Sequence, residues 1–190
     1  MPAINSAFNE EAESVETTIS KIPFLNIKTK HRGPMGNADP SSVDIIDEAI
    51  SLYRANVLMS SMEIKGTADH LLIYLTLTIS EVIKRLVDPA TGAPTSRSKA
   101  TAAMTKMKSD LAMPGSAKFP SKLEHFIPPP KSGEEDSLKA YFKQLRAEVI
   151  SRLLKDILYV DDQPNKWWFQ WWRRDFMGMA LFTFSRDLPK

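Results

Sequence analysis

The sequence predicts an all-α protein, with about five helices packed around one buried central helix and an extended N-terminal arm. Three observations predict it. Apolar residues recur at i, i+3, i+4 and i+7, the spacing of one helix face. One stretch, Leu71 to Ile79, is apolar on every face and so must be buried on every face. Segments rich in proline and glycine separate the helical stretches. The expected organisation is a single helical domain over residues 1–190, with the arm at 1–40 and the helical core at 41–190.

The arm lacks helical periodicity and carries Pro2, Pro23, Pro34, Pro40, Gly33 and Gly36, which predicts a loop-rich course with one short strand over 24–27. The first helix is expected over 42–58, with Ser41 and Asp44 at capping-box spacing. Its stripe is Ile46, Ala49, Ile50, Tyr53 and Val57. The second helix, over 67–87, ends at Asp88-Pro89, because proline lacks an amide donor and restricts the residue before it. This is the central helix, and Ile73, Leu75 and Leu77 are expected deep in the core. Glu81, Lys84 and Arg85 interrupt it, so it falls short of the ~20 apolar residues that span a membrane. A buried strand is the rival, since Ile, Thr and Tyr favour sheets. Length favours the helix.

A linker over 88–98 leads to a third helix over 98–111, with Ala100, Ala103, Met104, Met107 and Leu111 on one stripe and Lys99, Lys106 and Lys108 off it. Residues 112–133 hold Pro128-Pro129-Pro130, a stiff extended run suited to lying over a surface. The fourth helix is expected over 134–158, with a capping box at Ser132 and Glu135. A fifth runs from Asn165, a good N-cap, to about residue 182.

Bulk properties narrow the function. At 190 residues and 21.4 kDa the chain can build one domain with a real core. The absence of cysteine excludes disulfides, thiolate metal sites and cysteine nucleophiles, and fits a reducing cytosol. The first sixteen residues carry Glu10, Glu11, Glu13 and Glu16, unlike the basic and then apolar start of a signal peptide. A net charge of +2 is too weak to predict a nucleic-acid partner.

No catalytic, cofactor or metal motif emerges. His31, His70 and His125 stand apart, without the paired spacing of a metal site. Gly33-Pro34-Met35-Gly36 reads as a turn rather than a phosphate cradle, and Asp161-Asp162 as a solvated loop pair. No nucleophile elbow is present.

The most unusual segment is Lys166-Trp167-Trp168-Phe169-Gln170-Trp171-Trp172-Arg173-Arg174, which holds all four tryptophans. Such a mix can stack on single-stranded nucleic acid, seat a helix in a membrane interface, or be a helix with an aromatic core face and a basic solvent face. At about 100° per residue the aromatics fall on one arc and Lys166, Gln170, Arg173 and Arg174 on the other. That separation favours the third reading, with Trp168 foremost in the core and Lys166, Arg173 and Arg174 on a surface. The surface is either a contact for an acidic partner or a merely solvated face. Asp175 falls on the aromatic arc and there needs a hydrogen-bond partner or a local opening.

Several strings resemble a known family, the subunit 3 family of the actin-related protein 2/3 complex. They are Asp44-Ile45-Ile46-Asp47-Glu48-Ala49-Ile50, Arg54-Ala55-Asn56-Val57, Glu63-Ile64-Lys65, Ala68-Asp69, Leu72-Ile73-Tyr74-Leu75-Thr76-Leu77 and Ile79-Ser80-Glu81. Later come Pro114-Gly115, Phe119-Pro120, Ala140-Tyr141, Gln144-Leu145-Arg146, Lys166-Trp167-Trp168 and Phe176-Met177. The chain departs from the family at Ile4-Asn5, Leu58-Met59 and His70.

The resemblance implies a non-enzymatic scaffold subunit that supports actin nucleation and filament branching, without a cofactor of its own. It implies actin-related protein 3 and the other subunits of the seven-subunit complex as partners, together with the mother actin filament and, in the active state, actin-related protein 2. It implies a cytoplasmic location in actin networks, at cortical patches or the leading edge, and neither membrane nor nucleic acid as a partner. The alternatives are a nucleic-acid-binding helical module using residues 166–174 and an enzyme with an unrecognised site.

Overall fold

A computed structural model of the chain describes residues 2–36 and 38–183. Helix α3 (Thr67–Arg85) is its axis, and every residue from Ala68 to Lys84 is buried. Ile73, Leu75 and Leu77 have no solvent-exposed surface. A helix closed off on all sides must also satisfy its polar side chains. Thr76 and Thr78 donate their hydroxyls to the carbonyls of Leu72 and Tyr74, one turn back, at 2.8 and 2.9 Å.

Around α3 pack α1 (Asn9–Glu13), α2 (Ile45–Asn56) and α6 (Glu135–Arg152), while α4 (Arg97–Ser109) lies against α6. Two one-turn helices, α5 (Ser121–Glu124) and α7 (Lys166–Phe169), punctuate the later connections. The proline-rich connection before α6 is anchored rather than draped: Met113, Phe119, Leu123 and Ile127 are buried.

The all-α expectation is corrected. The fold is mixed: seven α-helices and two small antiparallel sheets stand among the described residues. One sheet pairs β1 (Thr18–Ile19) with β2 (Ile22–Pro23), and the other pairs β3 (Tyr159–Val160) with β4 (Gln163–Pro164). Each hairpin turns on two residues of positive φ, Ser20-Lys21 (54° and 64°) and Asp161-Asp162 (49° and 61°). Two left-handed central residues make a turn that follows strand twist, and Asn-Gly is its usual signature. Neither pair carries a glycine, and two-residue strands are too short to show alternation, so no sequence signal marked them.

The arm also differs from its reading. It holds α1 and the first hairpin, no strand forms over 24–27, and Phe24, Leu25 and Ile27 are buried in the core. The N-cap of α2 is Asp44 rather than Ser41. Its carboxylate accepts the amides of Ile46 and Asp47 at 3.1 and 3.0 Å, and Asp47 accepts the amide of Asp44 at 3.4 Å. At the start of α6, Glu134 takes the N-cap position without a side-chain cap, so the Ser132–Glu135 box does not form. Helix α6 then passes into a π-helical turn, Leu153–Ile157, before β3.

The largest departure is the fifth helix. It stops at Phe169 instead of running to residue 182, and only a 3₁₀ turn, Phe176–Gly178, follows. Aromatic residues are weak helix formers, and tertiary bonds claim the backbone: the Met177 amide donates to the Met59 carbonyl at 3.1 Å.

Candidate partner interface

Residues 165–179 form a strap across the end of α2. Asn165 opens it as an N-cap, accepting the Trp167 amide at 3.1 Å. Phe169, Phe176 and Met179 are the anchors, all buried, and Phe169 meets Tyr159 edge-on at 5.7 Å. The tryptophans do not take one core face. Trp168 is half-buried and stacks on Tyr53 at 5.5 Å between ring centroids. Trp171 and Trp172 are half-buried as well, and Trp167 is 60% exposed. A one-turn helix cannot present the continuous arc that a longer helix would.

The basic candidates Lys166, Arg173 and Arg174 are all exposed. The ammonium of Lys166 sits 5.2 Å from the Trp167 ring centroid, and the Arg173 guanidinium 4.7 Å from that of Trp172. Both are cation–π arrangements, which fix each cation over an indole face. Asp175, placed by periodicity on the aromatic side, is held by a salt bridge to Lys84 of α3.

Two buried charge clusters escaped sequence reasoning, because their members lie far apart in the chain. In the first, Arg146 of α6 pairs with Glu81 of α3, each side chain only 2% exposed. Its guanidinium reaches Glu81 Oε2 at 2.8 Å and Oε1 at 3.2 Å, and the carbonyls of Met107 and Asp110 at 3.2 Å. Arg85 adds a bond to Glu81 Oε1 at 2.8 Å and another to Asp110 at 2.9 Å. Burial opposes the Arg146 charge, but Tyr74 and the Glu81 carboxylate outweigh it and raise its pKa. Burial pushes the nearby Tyr74 hydroxyl up to about 12.

In the second cluster, Arg152 grips the α2 cap, reaching Asp44 Oδ1 at 2.6 Å, Asp44 Oδ2 at 2.7 Å and Asp47 Oδ1 at 2.6 Å. It also bonds the Lys28 carbonyl at 2.6 Å, so the N-terminal segment, α2 and α6 meet on one guanidinium. Burial raises the Asp44 pKa, but bonds from Arg152 and from the amides of Asp47 and Lys28 prevail and hold it below the usual carboxylate range.

His31 is the histidine nearest a hydroxyl: its Nε2 lies 2.8 Å from Ser151 Oγ. The Glu148 carboxylate approaches the same nitrogen, at 4.0 Å. A catalytic triad needs its acid on the opposite nitrogen, to orient the base. His70 is buried on α3, and burial lowers its pKa; His125 meets Phe126 edge-on at 5.4 Å. Among the described residues no cluster of three potential metal ligands occurs, and no helix is long and apolar enough to cross a membrane.

The family described as P21-Arc, the ARP2/3 complex ARPC3 (21 kDa) subunit, matches residues 1–181. The chain belongs to this ARPC3 family. Actin-related protein 2/3 complex subunit 3 of Schizosaccharomyces pombe is 40% identical over 183 residues, covering 95% of this chain and 100% of its own length. Subunit 3 of Dictyostelium discoideum is 36% identical over 180 residues (93% and 98%), and that of Arabidopsis thaliana 35% over 177 residues (93% and 98%). The ARPC3 match takes in both buried clusters and the whole strap.

Proposed function

We propose that this chain is a non-enzymatic scaffold subunit of the actin-related protein 2/3 complex, supporting actin nucleation and branched filament formation. In this reading it contacts actin-related protein 3, other subunits and the mother filament, and approaches actin-related protein 2 in the active state. It works in the cytoplasmic actin cytoskeleton, at cortical patches or leading-edge networks, without membrane or nucleic acid as a partner. The observation that carries the reading is the near end-to-end match to subunits of that name. The whole chain acts as one unit, a reading supported by Arg152, which ties residue 28 to α2 and α6. Lys166, Arg173 and Arg174 are the candidate contacts for an acidic partner.

The nucleic-acid alternative gains nothing from the strap. A base-stacking platform needs successive free aromatic faces, whereas Trp168 stacks on Tyr53 and Arg173 covers a face of Trp172. Mass spectrometry of the native assembly tests the proposal. A fixed set of partners that includes two actin-related proteins is the expected result. A chain recovered alone, or with nucleic acid in a salt-sensitive complex, would refute it.

A further inference from the structure

Large apolar side chains exposed to solvent are few among the described residues: Ile4, Val43, Leu58, Val160 and Trp167. Three of them, Ile4, Leu58 and Trp167, lie in segments tied to the C-terminal end of α2. Ile4 brackets the Asn56 side chain, its amide donating to Oδ1 at 2.8 Å and its carbonyl accepting from Nδ2 at 3.0 Å. Leu58 follows two residues later. Trp168, the neighbour of Trp167, stacks on Tyr53 one turn earlier in α2. The bond from Met177 to Met59 closes the strap beside Leu58. Three segments distant in sequence are thus tied together, and each leaves an apolar side chain in water.

Exposed cations flank this seam on the α2 and strap sides. Arg54 lies one helical turn before Leu58 and is exposed, as are Lys166, Arg173 and Arg174 on the strap. None of the four has a carboxylate partner among the described residues, and the one acid of the strap, Asp175, is taken by Lys84.

We infer that the seam of Ile4, Leu58 and Trp167 is a docking surface for an acidic protein, with Trp167 as its anchor. The inference rests on the subunit reading above and adds to it a face, an anchor residue and the chemistry of the partner. An apolar centre ringed by charge is the layout of a protein interface, and tryptophan and arginine dominate the energetics of such centres. The matching surface is an apolar socket rimmed by carboxylates. Membrane docking fits less well, since α7 is a single turn and offers no amphipathic helix to lie in an interface. The aliphatic Ile4 and Leu58 offer bases nothing to stack on.

The test uses the actin-related protein 2/3 complex purified without this subunit, to which the full chain is added back. Trp167→Ala and Leu58→Ser should retain the wild-type circular dichroism and melting curve, because both side chains are exposed. Trp167→Ala should bind about 30-fold more weakly, the loss typical of an anchor aromatic. Arg173→Glu with Arg174→Glu should weaken binding and flatten its salt dependence. Val43→Ser and Val160→Ser, exposed apolar positions in other elements, should bind normally. Wild-type chain that joins the complex while Trp167→Ala and Leu58→Ser join equally well would overturn the docking surface alone. Wild-type chain that fails to join would overturn the subunit reading with it. Tight binding of the chain to phosphatidylcholine–phosphatidylserine vesicles or to a single-stranded oligonucleotide, lost in Trp167→Ala while complex assembly is untouched, would replace the protein partner with a membrane or a nucleic acid.

Discussion

Replacing Arg146 with methionine probes a charge pair buried between α3 and α6. The substitution keeps roughly the length of the side chain and removes the guanidinium, leaving Glu81 inside the protein. Breaking a buried pair from one side costs about 3–5 kcal/mol, because the surviving charge is uncompensated. Here Arg85 remains on Glu81 Oε1 at 2.8 Å, so only Oε2 is orphaned. That places the expected cost near the lower end, about 3 kcal/mol. For a protein of this size each kcal/mol moves the melting temperature by about 2–4 °C, so a drop of about 6–12 °C is expected. The double variant Glu81→Met with Arg146→Met removes both charges and should recover part of that loss. It will not recover all of it, since the carbonyls of Met107 and Asp110 lose their donor, at about 1–3 kcal/mol for each group left buried. Thermal melts and urea titrations of the wild type, both single variants and the double variant complete the cycle. A melting temperature for Arg146→Met within about 2 °C of wild type, or a double variant equal to the sum of the singles, would refute the pair as a structural tie.

Three further outcomes follow from the same geometry. Asp44 has a folded pKa below its unfolded value, so its contribution is fully present above the unfolded pKa and is lost as pH falls through the folded one. Denaturant midpoints should therefore decline below about pH 4, and Asp44→Asn, which keeps a cap but loses the charge, should flatten that decline. Lys21 holds a left-handed conformation at φ 64°, which costs an L-residue about 1–2 kcal/mol, so Lys21→Gly should raise the melting temperature by a few degrees; a lower value would place the strain elsewhere. Trp168 is half-buried against Tyr53, so Trp168→Ala should cost about 2 kcal/mol, short of the ~3–5 of a fully buried aromatic, and a neutral result would show that the stacking carries no stability.

Periodicity located the long helices to within a few residues, because a 3.6-residue repeat over a dozen or more residues is hard to imitate. The run from Leu71 to Ile79 marked the helix that becomes the axis of the fold, since apolar side chains on every face admit only burial. Strings such as Lys166-Trp167-Trp168 carried the family, which the match over residues 1–181 establishes.

Tertiary structure decided the rest. The two hairpins turn on Ser-Lys and Asp-Asp, residues whose left-handed backbone is imposed by the packing of Ile22 and Tyr159 rather than announced by glycine. The strap was read as a helix because its aromatics fit a helical wheel, yet Tyr53, Met59 and Lys84, at least 90 residues away, hold it in another shape. The Glu81–Arg146 and Asp44–Arg152 pairs span 65 and 108 residues. Local propensity is a property of neighbours in the chain, and the sequence by itself could determine what neighbours dictate. Which distant charges meet, and which tryptophan is left in water, depends on closing the chain on itself.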